Sequence, residues 1–407
     1  MPLVIATAPV AASERMDVLD VLRGIAVLGI LLVNVESFIG YGFLPASAGS
    51  TPRGVEWDGL AAFLVEFLVQ GKFYCLFSFL FGVGFAVFIQ RASARGYDAV
   101  RLFRRRLAGL LLIGLVHSVL IWYGDILTTY ALIGFGLIPF VRKDDRRVVR
   151  AAVMWLASPV IIYLALFALT ALLPVPPQGD AGDELPPILA SAVQSFARGS
   201  YAEVVGGNIV FTLANLVRRF VLMFFPRVFG MFLLGFYAGR ANLFADLGSH
   251  VALLKKVSVI GLVGGLPLAF AGARLGGSAS PRPPSWSGLV EMTVESIATP
   301  ALALAYAATI CLAFLKFRRL ALLLAPAGRM ALTNYLAHSV AGVALFYGIG
   351  AGFYGRVSLT FALAGCFLAF ALQVAVSRAW LAVALFGPAE WAWRTFTYRR
   401  RFPLLRG

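Results

Sequence analysis

Residues 115–134 read LVHSVLIWYGDILTTYALIG. The stretch is apolar almost throughout, yet it carries His117 and Asp125 eight positions apart around the turn-forming Trp-Tyr-Gly. A soluble protein could bury one such run. Here it is one of many, in a chain of 407 residues that is 60% hydrophobic and 13% charged. That balance excludes an aqueous globular core and predicts a polytopic, all-α membrane protein.

Working outward in apolar runs of about 20 residues gives ten expected spans. They lie near 21–40, 72–90, 107–122, 126–141, 151–173, 220–239, 257–272, 289–315, 329–349 and 357–386. Segments 57–70 and 203–219 are amphipathic and read as interfacial or re-entrant helices.

With the N-terminus inside, 26 of the 35 Lys and Arg fall on inner segments, so both termini are expected in the cytosol. The same clustering explains the net charge of +16 without nucleic acid as a partner. MPLVIATAPVAAS at the start lacks a basic region and reads as a cytoplasmic tail, not a signal peptide. The expected outer loops are 174–202, containing PVPPQGDAGDELPP, and 276–288, GGSASPRPPSWSG. Neither is long enough for a soluble domain. Cys75, Cys311 and Cys366 lie in apolar runs without CxxC spacing, so neither disulfides nor a metal site is expected.

On this topology His117 sits about five residues, roughly 7–8 Å, below the outer end of its helix. The WYGD turn folds the chain back so that Asp125 reaches the same level. A carboxylate beside an imidazole fixes its tautomer and raises its basicity, as a general base requires. The structural alternative is an interhelical histidine and an aspartate capping the next helix.

Other polar residues stand in apolar surroundings. Asp20 and Arg23 are three apart, spaced for a local ion pair at the inner end of the first span. Asn34 lies near that span's outer end. Lys72 enters an aromatic-rich helix and must snorkel or find a partner. Arg104, Arg105 and Arg106 end a basic cluster that suits either anchoring on anionic lipid or docking of a donor's phosphates. In GRMALTNYLAHSV, Asn334 and His338 share a helical face, with Tyr335 beside them. Gly82 and Gly84 are expected to allow close helix packing.

In chain order, LDVLRGIAVLGILLVN, KFYCLFSFLFGVGFAVF, RRLAGLLLIGLVHSVLIWYGDIL, GRMALTNYLAHS and FGPAEWAWRTFTYRR resemble the YeiB-like bacterial inner-membrane proteins carrying domain of unknown function 418. The first half of that family is similar to the transmembrane acyltransferase superfamily. This includes heparan-glucosaminide N-acetyltransferase and sugar O-acyltransferases with a similar LDxLRG opening.

The resemblance implies an acyltransferase-like half at 1–175, an external loop at 176–206 and a second helical half at 207–407. It further implies an acyl group moved from cytosolic acyl-CoA to a small-molecule or envelope-glycan acceptor across the inner membrane. Related sugar O-acyltransferases carry a histidine near the end of the first span, where this chain has Asn34, so the base must come from His117. Lys72 and Asn34 would then steady the developing oxyanion; Asn334, Tyr335 and His338 would face substrate; and Arg104 to Arg106 would hold the donor. Anionic lipid and a second copy of the chain are further expected partners. The reading from a different class is a transporter, with the same polar residues lining a translocation path.

Overall fold

The computed structural model describes residues 16–41, 43, 57–172, 186–221, 224–275 and 285–406. The N-terminal tail and parts of both expected outer loops lie outside the described residues. Among those described, the chain forms α1 (Asp17–Phe38), α2 (Asp58–Leu68), α3 (Lys72–Ala94), α4 (Ala99–Leu120), α5 (Leu127–Phe135) and α6 (Asp145–Leu172). Next come α7 (Pro187–Arg198), α8 (Tyr201–Val221), α9 (Phe224–Arg240), α10 (Val251–Leu275) and α11 (Trp286–Lys316). The chain ends with α12 (Arg318–Ala321), α13 (Ala325–Arg329), α14 (Ala331–Phe346), α15 (Leu359–Val383) and α16 (Pro388–Tyr398).

Among the described residues six segments are long and apolar enough to cross a membrane: α1, the stretch Asp58–Ala94 that holds α2 and α3, α6, α10, α11 and α15. Their outer faces confirm which medium they meet. Val153 and Ile161 on α6, Val263 on α10 and Leu368 on α15 are 57%, 64%, 71% and 74% exposed. Apolar bands on that scale are stable only against lipid. This is an all-helical, multi-pass membrane protein.

The expected span at 126–141 takes another form. α5 stops after nine residues, and Ile138–Arg142 continues as a 3-10 turn begun by Pro139. Nine residues rise about 13 Å, less than half a bilayer core. The stretch read as interfacial at 203–219 belongs to the continuous helix α8, and α7 occupies part of the expected loop before it.

Side-chain caps account for several helix starts. Asp98 accepts from the Arg101 amide at 2.9 Å to begin α4, and Ser285 accepts from Gly288 to begin α11. The start of α15 is tied across space: Asp58 on α2 accepts from Ser358 Oγ, the Leu359 and Thr360 amides and Thr360 Oγ1, at 2.6–3.1 Å. The bend between α2 and α3 needs Gly71, whose φ is +82°.

α3 and α9 pack tightly, as do α10 and α11, α6 and α9, and α1 and α13. A core cluster joins Val21, Leu22, Leu76, Leu80 and Met231 on α1, α3 and α9. A second, aromatic cluster joins Phe38, Trp122, Tyr123, Phe196 and Tyr347 near the WYGD turn. All three cysteines are buried and unbridged.

Candidate functional site

The turn after α4 brings His117 and Asp125 together. His117 Nδ1 lies 3.0 Å from Asp125 Oδ1, and the two side chains are 1% and 2% exposed. Asp125 also begins α5, because Oδ1 accepts from the Leu127 amide at 3.1 Å and Oδ2 from the Thr128 amide at 2.7 Å. The two readings of this aspartate, orienter and cap, are therefore combined in one side chain. Against a carboxylate acceptor Nδ1 is the donor, which leaves the lone pair on Nε2. That nitrogen is buried without a hydrogen-bond partner. Trp122 and Tyr335 flank the imidazole, with ring centroids 6.4 and 5.3 Å away.

A cavity of about 440 Å³ approaches this dyad through Ile126, Leu127 and Tyr335, although His117 and Asp125 themselves lie off its lining. Its lining has two unlike ends, as the helix registers require. At one end are Arg23, Arg91, Arg95, Arg106, Arg329 and Arg394, with Asp20 and Glu390. Six guanidiniums against two carboxylates make this end suited to an anion. Near the other end the walls are Ile30, Leu110, Ile126, Leu127, Tyr130 and Tyr335. Tyr335 belongs to both parts of the site: it lines the cavity, its ring faces His117, and its hydroxyl accepts from the Ile126 amide at 3.3 Å.

α16 packs on α4 and contributes Glu390, Trp393 and Arg394 to the basic end. The Arg106 guanidinium stacks 3.7 Å from the Trp393 ring centre, and Trp393 Nε1 donates to the Arg106 carbonyl at 2.7 Å. Glu390 accepts from the Leu332 and Thr333 amides and from Thr333 Oγ1, fixing α16 to the start of α14. Burial holds the Glu390 carboxyl above the ordinary glutamate range, while its bonds to Thr333 and Leu332 oppose the rise.

The residues singled out in the sequence are distributed unevenly. Of the three consecutive arginines only Arg106 lines the cavity; Arg104 is exposed and Arg105 lies off the lining. Arg23 bonds Asp20 at 2.9 Å, and both stand at the basic end. Asn334 and His338 turn away from the cavity to α15. There Asn334 Nδ2 donates to Ser377 Oγ and to the Ala327 carbonyl, and His338 Nε2 pairs with Gln373 Oε1.

Asn34 is half-buried on α1 and does not line the cavity. Lys72 donates to the Glu66 carbonyl at 2.7 Å, near the Arg227–Glu295 ion pair, so it too lies off the lining. Among the described residues no group of three or more His, Cys, Asp or Glu could hold a metal ion.

The structure adds residues that sequence reading passed over. Arg219, at the end of α8, donates to the Asp125 carbonyl at 2.6 Å and to Thr129 Oγ1 at 2.9 Å, so a guanidinium braces the turn that carries the dyad. The available signal was the Arg218–Arg219 pair that ends the amphipathic segment 203–219. Trp393 and Arg394 entered the sequence reading only inside the motif FGPAEWAWRTFTYRR.

A family model described as "Protein of unknown function (DUF418)" matches residues 238–400. Over 98% of its length the chain is 32% identical to the uncharacterized protein YxaH of Bacillus subtilis (strain 168), covering 98% of that protein. Over 96% of its length it is 28% identical to the uncharacterized protein YeiB of Escherichia coli (strain K12), again covering 98%. Because the match to YxaH extends from end to end at that identity, the chain belongs to the DUF418 family.

Proposed function

We propose that this protein is an acyltransferase of the bacterial inner membrane, taking an acyl group from cytosolic acyl-CoA to an acceptor at the outer side. One observation carries the reading. The lining of a single cavity extends from six arginines to Tyr335, whose ring stands 5.3 Å from that of a buried His–Asp dyad. Guanidiniums at one end suit a polyphosphate, and apolar walls suit the thioester arm behind it.

In the reaction, His117 Nε2 takes the proton of an acceptor hydroxyl or amine. The acceptor's lone pair attacks the thioester carbonyl and forms the new ester or amide bond. As the tetrahedral intermediate collapses, the C–S bond breaks, and the departing thiolate regains the proton from the imidazolium. Asp125 holds the ring through Nδ1, and Arg219 holds the turn that presents Asp125.

Arg106 tests the donor end. Lys at this position keeps the charge but loses the planar group stacked on Trp393. Arg106→Lys is expected to weaken acyl-CoA binding by about tenfold, one lost charge-assisted contact of about 1.4 kcal/mol. Arg104→Lys, on an exposed side chain, is expected to leave it unchanged. Equal Kd values for both variants and the parent, measured by calorimetry in nanodiscs, would remove the cavity from the donor's path.

The proposed topology has both termini cytosolic, with α5 and the 3-10 turn after it together returning the chain inward, which puts Glu203 outside and Asp144 inside. Both side chains are exposed. Cysteine at Glu203 is expected to react with an impermeant thiol reagent in intact cells, and cysteine at Asp144 only after lysis. The reverse pattern would invert the protein and turn the arginine end outward.

The transporter reading draws on the half-buried Arg227–Glu295 pair and on Lys72. It predicts substrate flux that survives His117→Gln, whereas acyl transfer does not.

A further inference from the structure

The end of the cavity nearest the dyad is closed. Ile30, Leu110, Leu127 and Tyr335 pack there into one apolar cluster and are each between 4% and 8% exposed. Beside them stands Tyr130, 1% exposed. Its hydroxyl is held from two sides, donating to the Tyr74 carbonyl at 2.8 Å and lying 2.7 Å from Ser78 Oγ. Its ring is fixed as well, with Phe77, Phe81 and Phe232 at centroid distances of 6.0, 5.8 and 5.2 Å. A side chain held by two hydrogen bonds and three aromatic neighbours does not swing aside for a ligand. Tyr335, tied to the Ile126 amide, closes the remaining side.

We propose that this end wall sets the length of the acyl group, so that the site takes a short acyl chain, with Tyr130 as the residue that fixes the limit. The inference rests on the acyl-donor reading and names its substrate class. A thioester whose carbonyl lies beside Tyr335 has its acyl carbons directed against packed Leu110, Leu127 and Tyr130. Extra methylenes must then displace a close-packed cluster, which costs more than their burial returns.

The sign of one trend decides the matter. In an open apolar tunnel each added methylene tightens binding by about fourfold, from about 0.8 kcal/mol of burial. Against a closed wall, affinity falls instead. The experiment measures Kd for CoA and for acetyl-, butyryl-, hexanoyl- and octanoyl-CoA on the full chain in nanodiscs. The parent protein is expected to bind the shortest acyl groups best and octanoyl-CoA at least about tenfold more weakly.

Tyr130→Ala removes the wall and is expected to move the optimum to longer chains. Tyr130→Phe keeps the ring between its aromatic neighbours but loses both hydroxyl bonds, and is expected to move the optimum less than Tyr130→Ala. Leu110→Ala opens the same end from α4 and serves should Tyr130→Ala not fold. Affinity that climbs with chain length in the parent protein would overturn the proposal. So would an unchanged profile in both enlarging variants with CoA binding intact. Absence of binding by CoA and every acyl-CoA is a different outcome: the acyl-donor reading itself then falls, and the length limit with it.

Discussion

His117→Gln is expected to lower acyl transfer by about 100- to 10,000-fold, the usual contribution of a general base, while leaving the protein folded. Gln is close to His in size and can still donate to Asp125, so the packing between Trp122 and Tyr335 is kept; what is lost is a nitrogen that can take a proton.

Asp125→Asn is expected to behave differently, because the carboxylate serves three donors. Its two oxygens accept from His117 Nδ1 and from the Leu127 and Thr128 amides. An amide has one acceptor oxygen, so either the imidazole or the start of α5 loses its partner. Activity should fall together with about 1–2 kcal/mol of stability, the worth of a helix cap. The double variant should be no less active than His117→Gln alone, since a misoriented ring and an absent one fail at the same step. Specific activity retained in folded His117→Gln protein would reduce the pair to an interhelical hydrogen bond and a cap.

What could be read from the sequence was local or periodic. Apolar runs located α1, α3, α6, α11 and α15 to within a few residues, because hydrocarbon leaves a chain no other way to satisfy its backbone. The dyad was readable because one tight turn separates its members. The cavity was not, since its wall joins α1, α3 and α4 to α16, hundreds of residues away.

Three consecutive arginines looked equivalent in the sequence, but a helix turns about 100° per residue, and only Arg106 faces the cavity. Asp58 read as one acid on an amphipathic helix; its four donors belong to Ser358, Leu359 and Thr360, 300 residues on. Lys72 was expected to snorkel or find a partner, and the partner it finds is the Glu66 carbonyl, six residues away.

Two glycines in one helix should respond with opposite signs. GVG at 82–84 suggests two equal packing sites, but the structure separates them. At Gly82 a Cβ would collide with the Phe232 carbonyl of α9 and lie 2.8 Å from the Phe236 amide nitrogen. On the facing helix, a Cβ at Gly235 would collide with the Phe79 carbonyl, and one at Gly239 would stand 2.6 Å from the Ala86 Cβ. Gly235 and Gly239 form a GxxxG pair, which brings two membrane helices into backbone contact.

Backbone atoms cannot rotate out of the way, so the helices must separate along their whole interface. Gly82→Ala and Gly235→Ala are each expected to cost about 1–3 kcal/mol, and Gly235→Leu more. Their costs should be less than additive, because a pair already forced apart has room for the second methyl. Gly84, two residues on, lies about 160° around the helix from Gly82, and there a Cβ would meet only Arg23 Nη2 at 3.8 Å, an ordinary contact. Gly84→Ala should therefore stabilise α3 by up to about 1 kcal/mol, the helix preference of Ala over Gly. Thermal unfolding in nanodiscs reads all four variants, and a Tm for Gly82→Ala at or above that of Gly84→Ala would mean that α3 and α9 do not meet at these glycines.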